Sequence, residues 1–266
     1  MLLATYPFSE VDPTILFGRV IQQTVVLAFV YVMAISFWLK YATKKKTREV
    51  LTLSTAFTLL ATTLLAGTIP MVLALVDPAS FWIYGLPVWP GFQLWWTNLA
   101  YITTTVASFL ILLLTLFIFK RPHKFVVAAF GIFIFLFDIW IFQPYGGVSV
   151  WAIMNGIPMG AMFFGINFTP WIYLLVSSEG IRKKTSSRSY KHLLGLFSAG
   201  ALSMIVSYFM FGLRQILASR LDPNVVQLFD ILYWTFFVLT AVLVYLGYAS
   251  PEFYVNWLKR RYDESG

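Results

Sequence analysis

Four ionisable side chains stand inside long apolar runs of this sequence: Arg19, Asp138, Arg214 and Asp230. A charge in the hydrocarbon layer is costly, and it usually faces the bundle interior or a water-filled cavity. Two cations and two carboxylates can neutralise one another. The chemistry on offer is therefore ion pairing and recognition of a polar group, not bond making. Gln22, Gln23, Asn155, Gln215 and Gln227 fall at similar depth in their runs. Tyr101, Tyr233 and Trp234 complete the lining of such a space. The candidate ligand pocket is thus Arg19, Gln23, Tyr101, Asp138, Asn155, Arg214, Asp230, Tyr233 and Trp234. A competing structural reading makes the four charges ion pairs near the headgroups, with the arginines snorkelling toward water.

Other chemistry is poorly provided for. The chain has no cysteine, which removes disulfides, thiolate metal sites and cysteine nucleophiles. Its two histidines, His123 and His192, lie in basic loops, so neither a catalytic histidine nor a metal cluster is expected within the membrane. The run Gly195 to Gly200 has the wrong spacing for a Gly-x-Ser-x-Gly nucleophile turn, and no histidine is placed to activate Ser198. Asp138 and Asp230 do not stand in the setting of an intramembrane aspartyl protease. No phosphate-binding or dinucleotide motif occurs. Asn167-Phe168-Thr169 matches a glycosylation triplet but falls inside an apolar run and reads as coincidence. The expectation is no enzyme, no catalytic residue, no metal and no cofactor.

The elements that must hold these residues follow from composition. The chain is 59% hydrophobic and 11% charged, with mean hydropathy +0.78, against roughly a quarter charged in a soluble domain. Apolar runs at about 15–39, 50–76, 92–119, 125–142, 153–176, 193–217 and 225–248 are each long enough to cross a bilayer. All but three of the 19 Lys and Arg fall in clusters around residues 40–48, 120–124, 182–191 and 259–261. These clusters occupy every second gap, and short Lys/Arg-rich loops stay in the cytoplasm. The expected fold is an all-α seven-transmembrane-helix bundle with the N-terminus outside and the C-terminus cytoplasmic. Residues 1–248 would form one domain and 249–266 an interfacial tail in a multi-pass protein of the cell membrane. Odd helices then run inward and even ones outward, which brings all four buried charges into the outer third.

Helical phase assigns faces. Gly195, Ala199, Ser203 and Ser207 repeat every four residues, a stripe that permits close helix approach, and Arg214 continues it. Ala128, Gly131 and Asp138 share a face of the fourth span. Asn98, Tyr101, Thr105 and Ser108 make a polar stripe on the third, and Thr55, Thr58 and Thr62 one on the second. Pro158 and Pro170 are expected to kink the fifth, which also carries Gly156 and Gly160. Residues 77–91 hold three prolines, four aromatics and no Lys or Arg. With Trp95 and Trp96 they read as an outer cap or interfacial belt. In the tail, Ser250-Pro251-Glu252 is a helix start. Phe253, Tyr254, Trp257 and Leu258 then make one apolar face, as in an amphipathic helix lying on the inner surface.

Known seven-helix families are not matched. The seventh run has no lysine for a retinal Schiff base, and Gln143-Pro144 reverses the Pro-Gln signature of small sugar facilitators. The expected partners are the lipid bilayer, anionic lipids at the inner basic loops and a cytoplasmic protein docking on those loops and the tail. Nucleic acid is not expected, because the net charge of +8 is the topology signal. The leading functional reading is a non-enzymatic receptor-like sensor or scaffold with an outward-facing polar cluster. The alternative is a facilitator-type transporter of a small solute, with Pro70, Pro158, Pro170 and the Thr/Ser stripes along its path.

Overall fold

The computed structural model describes residues 13–43, 46–76, 90–120, 123–142, 157–217, 223–248 and 252–262. Eight α-helices account for the regular structure of these residues: α1 (Pro13–Thr43), α2 (Arg48–Val76), α3 (Pro90–Phe119), α4 (Lys124–Phe142), α5 (Ile157–Arg182), α6 (Arg188–Leu217), α7 (Pro223–Tyr248) and α8 (Glu252–Tyr262). Among the described residues, five stretches are long and apolar enough to cross a membrane: Phe17–Thr43, Arg48–Ile69, Leu99–Phe119, Arg188–Leu213 and Leu228–Tyr248. The chain is therefore an α-helical, multi-pass membrane protein in contact with lipid. The cap at 77–89, the 143–151 loop and Gly156 lie outside the described residues.

Helix ends follow local chemistry. Pro13, Pro90 and Pro223 each open a helix, where the missing N–H costs nothing. The amide of Tyr190 donates to Ser187 Oγ at 3.3 Å, capping α6. Helix α3 stops at Lys120, which takes a left-handed conformation with φ 59°, and Pro122 stands two residues on in the sequence. Within the spans, hydroxyls are largely satisfied by their own helix. Thr52, Ser54, Thr55, Thr58 and Thr62 of α2 each donate to the carbonyl four residues back. Such back-bonding lets a polar side chain sit in hydrocarbon without an external partner.

Neighbouring helices form a closed circuit: α1 packs on α2, α2 on α3, α3 on α5, α5 on α6, α6 on α7, and α7 returns to α1. Helix α4 lies outside this circuit, packed chiefly on α3. Its Phe125, Ile132, Phe135 and Leu136 are exposed on the bundle's flank. Gly131 admits the ring of Phe109, which would lie 3.0 Å from an added Cβ. Val127, Gly131, Ile134 and Phe137 therefore carry the α4 contact, while Ala128 is exposed.

The α6–α7 seam is a close helix contact. A Cβ on Gly200 would fall 2.8 Å from Val244 Cγ2, and one on Gly247 would fall 2.9 Å from the Phe197 amide nitrogen. Ser203 Oγ donates to the Phe236 carbonyl and Ser207 Oγ to the Tyr233 carbonyl, both at 2.9 Å. Ser203 and Ser207 thus lie on the seam, whereas Ala199 is exposed and Gly200 takes its place. A strict four-residue repeat drifts by about 40° per step on a 3.6-residue helix, so the expected stripe rotates off the contact line.

Candidate functional site

The Arg19 end of the bundle holds the first polar centre. Arg19, one to two turns into α1, forms an ion pair with Asp230 of α7, and their side chains are 6% and 2% exposed. One turn along α1, Gln23 is buried. Its Oε1 lies 3.4 Å from the Thr68 hydroxyl of α2, which lies closer, at 2.8 Å, to its own Leu64 carbonyl. Gln22 Nε2 donates to the Ile231 carbonyl at 3.2 Å, tying α1 to α7 a second time. Trp234, one turn beyond Asp230, is buried, and its indole N–H has no hydrogen-bond partner among the described residues. In a low-dielectric setting this pair compensates two costly desolvations, and removal of one partner leaves a buried charge.

A second centre joins α3, α4 and α5. Asp138 Oδ1 accepts from the Thr105 hydroxyl at 2.8 Å. One turn deeper on the same face of α3, Ser108 donates to Asn167 Oδ1 at 2.6 Å, and Asn167 Nδ2 donates to the Phe163 carbonyl at 2.7 Å. Thr105, Ser108 and Asn167 are all buried. Tyr101, Thr105 and Ser108 of the polar stripe read on the third span face these neighbours; the Asn98 side chain lies outside the described residues. Asn167 is not among the sequence-predicted site residues, since the sequence placed it only in a glycosylation triplet. An amide in mid-run was the available signal.

The four charges therefore do not make one contact. Arg19 meets Asp230 on the α1–α7 seam, and Asp138 meets Thr105 on the opposite side of the circuit. The Arg214 side chain and Asn155 lie outside the described residues. What spans the distance is aromatic. Tyr101 meets Phe163 edge-on at 4.7 Å between centroids, Phe163 lies 6.5 Å from Phe211, Phe211 lies 5.3 Å from Tyr233, and Tyr233 lies 4.4 Å from Trp234. These five rings cross from α3 through α5 and α6 to α7, linking the two polar centres at one level. Such ring pairs add stabilisation beyond their burial.

Toward the basic end, the interior is apolar. Phe37, Leu53, Phe57, Leu114, Leu174 and Val244 are all buried in one core cluster. The polar contacts there are small and paired. Ser178 and Ser198 share a 2.7 Å hydrogen bond between α5 and α6. Away from the basic end, at the level of Thr105, Thr63 of α2 lies 2.8 Å from Thr103 and 3.1 Å from Thr104 of α3. At the surface, Glu179 accepts from Arg182 Nε at 2.8 Å. That hydrogen bond holds the Glu179 carboxyl below the usual range. Lys46, Arg48, Lys183, Lys184, Arg188 and Lys191 are exposed. Helix α8 docks on α6, with Tyr254 Oη 3.0 Å from His192 Nε2. Leu258 is buried, whereas Trp257 is exposed under the Arg261 guanidinium. The tail's apolar face is thus divided between the bundle and the surroundings.

Among the described residues, no group of three or more His, Asp or Glu could hold a metal ion. Compared with known family models, curated proteins and solved structures, the chain has no match.

Proposed function

We propose that this chain is a seven-helix integral membrane protein, N-terminus outside and C-terminus cytoplasmic, acting as a receptor-like sensor or scaffold that responds to a small amphiphile or lipid from the outer side. α1 to α7 would be the spans and α8 the tail. The observation that carries the reading is the buried Arg19–Asp230 pair, which joins the first span to the last beside Gln23 and Trp234. A buried ion pair is weak as a source of stability but well suited to fixing one arrangement of two elements against another. A headgroup that competes for either partner would bias that arrangement, as a ligand does when it binds two states unequally. The aromatic row from Tyr101 to Trp234 offers an apolar body a surface between the two polar centres. On the cytoplasmic side, the exposed cations and Trp257 suit anionic lipid and a protein partner.

The apolar interior of the basic end favours this reading over a facilitator. A transport path needs polar groups reaching both faces, whereas the α2 hydroxyls are bonded to their own carbonyls. The reading is non-enzymatic, on the ground that the sequence lacks cysteine and keeps its two histidines at the basic end, His123 just before α4 and His192 in the first turns of α6 rather than in a loop.

The test is thermal stability of the protein in nanodiscs against a panel of lipids and single-chain amphiphiles. The Arg19→Leu/Asp230→Leu double variant is run in parallel. At least one member should raise the Tm of the parent and leave the folded double variant unmoved. No shift by any member, or equal shifts in both proteins, would remove the case for a ligand at this pair.

A further inference from the structure

Asp138 stands in a part of the fold to which the sequence supplies no cation. No Lys, Arg or His occurs from 49 to 119 or from 125 to 181. Those stretches hold nearly all of α2, α4 and α5 and the whole of α3. The cations at their ends, Arg48, Lys120, Lys124 and Arg182, all belong to the basic end. Along α4, Asp138 lies about 21 Å from Lys124 at 1.5 Å per residue. Arg19 is already held by Asp230 on the other side of the circuit. The one donor on Asp138 among the described residues is the neutral Thr105 hydroxyl. That hydroxyl also lies 2.9 Å from the Ile102 carbonyl and 3.2 Å from the Tyr101 carbonyl, so its single proton is shared.

The surroundings of Asp138 are open rather than sealed. Its side chain is half-buried, at the edge of the packed face of α4. Ile134, one turn back, is buried, whereas Phe135 and Ile139 on the other flank are exposed. Helix α4 lies outside the circuit, so this edge borders the bilayer. Asp138 is also about 6 Å short of Phe142, where α4 ends. In a hydrocarbon layer of about 30 Å that depth is within reach of a headgroup. A carboxyl there takes either a proton or a countercharge, and a cation with N–H groups satisfies both its charge and its lone pairs. Ile139, Phe135, Ile132 and Ala128, spaced by three and four residues and all exposed, continue the same edge toward the basic end. They give an apolar chain a surface along the helix. We propose that Asp138 and this edge of α4 bind a membrane amphiphile with a primary ammonium headgroup, the ammonium on the carboxylate and the chain along α4. The ammonium belongs to a bilayer phospholipid or to a single-chain amine; both present the same charge and the same donors. The proposal goes beyond the sensor reading, which rests on the Arg19 pair, and either can fail without the other.

The experiment measures the Tm of the full chain in phosphatidylcholine nanodiscs at pH 8, with oleylamine, oleyl alcohol or oleic acid added. The parent is compared with Asp138→Asn, which keeps an oxygen for Thr105 and removes the charge, and with Asp138→Glu, which keeps the charge. Oleylamine should raise the parent Tm by about 2–4 °C, while the alcohol and the acid leave it in place. Asp138→Asn should lose the oleylamine shift and Asp138→Glu should retain part of it. Exchanging phosphatidylcholine for phosphatidylethanolamine separates the two sources. A rise in the parent that is absent from Asp138→Asn assigns the site to the bilayer phospholipid, and a response to oleylamine alone assigns it to a single-chain amine. Neither oleylamine nor phosphatidylethanolamine moving the parent would refute the site, because the carboxyl is then satisfied by a proton. Equal shifts in the parent and Asp138→Asn would refute it as well. So would a shift that appears only in an Arg214→Gln background, by assigning the countercharge to Arg214.

Discussion

Arg19 on the first helix and Asp230 on the seventh form a buried ion pair that closes the helix circuit. The Gln22–Ile231 hydrogen bond ties the first helix to the last beside this pair.

Breaking the pair should cost more than deleting it. Arg19→Leu or Asp230→Asn alone is expected to destabilise by about 3–5 kcal/mol, because one buried charge loses its counterion. The Arg19→Leu/Asp230→Leu double variant should recover most of that. Thermal or denaturant unfolding in detergent gives the comparison, and equal losses for single and double variants would mean that the pair contributes net stability.

The α6–α7 seam should tolerate no added volume. Gly247→Ala puts a methyl within 3.0 Å of the Leu193 carbonyl oxygen and 2.9 Å of the Phe197 amide nitrogen. Both are backbone atoms that cannot rotate aside. A loss of about 1–3 kcal/mol is expected. Gly180→Ala is the control, since nothing lies within 4 Å of its added Cβ. It should be neutral or gain up to about 1 kcal/mol from helix propensity.

These two features were unequally legible in the sequence. The helices were, since hydropathy and the Lys/Arg clusters report directly on solvent. The ion pair was half legible: depth and charge balance brought Arg19 and Asp230 together, but they grouped Asp138 with them. Depth is a one-dimensional measure, and only the packing order, with α4 outside the circuit, separates Asp138 from Arg19. Gly200 and Gly247 were missed for a related reason. A four-residue repeat marks a stripe, but the contact line follows the 3.6-residue period and the partner helix. Asn167 was not legible because its triplet matches a surface motif, whereas its burial depends on the α3 and α5 packing.

Acid should weaken the basic end through Glu179. Its hydrogen bond to Arg182 lowers the folded-state value below the usual 4.5. The carboxylate therefore contributes stability that is fully present above the ordinary value. That contribution is lost as pH falls through the depressed folded one. The pair is partly exposed, so the effect is small and screened by salt. Glu179→Gln should flatten the acid limb of a Tm-versus-pH curve and leave Tm near pH 7 almost unchanged. An acid limb identical in the two proteins would assign the loss to other groups.

The central claim is a bundle open to ligand at the Arg19 end and sealed toward the basic end. The absence of native cysteine permits a direct measurement with single cysteines at Gln23, Ala34, Ala201 and Ala241, challenged by a membrane-impermeant thiol reagent from each side of sealed vesicles. Gln23→Cys, buried in the closed bundle, should react slowly from the outer side as the Arg19 pair opens, and the other three, all within the apolar core, should react from neither. Labelling of Ala34→Cys, Ala201→Cys or Ala241→Cys from the inner side would reveal a path through the membrane and contradict the sensor in favour of the facilitator.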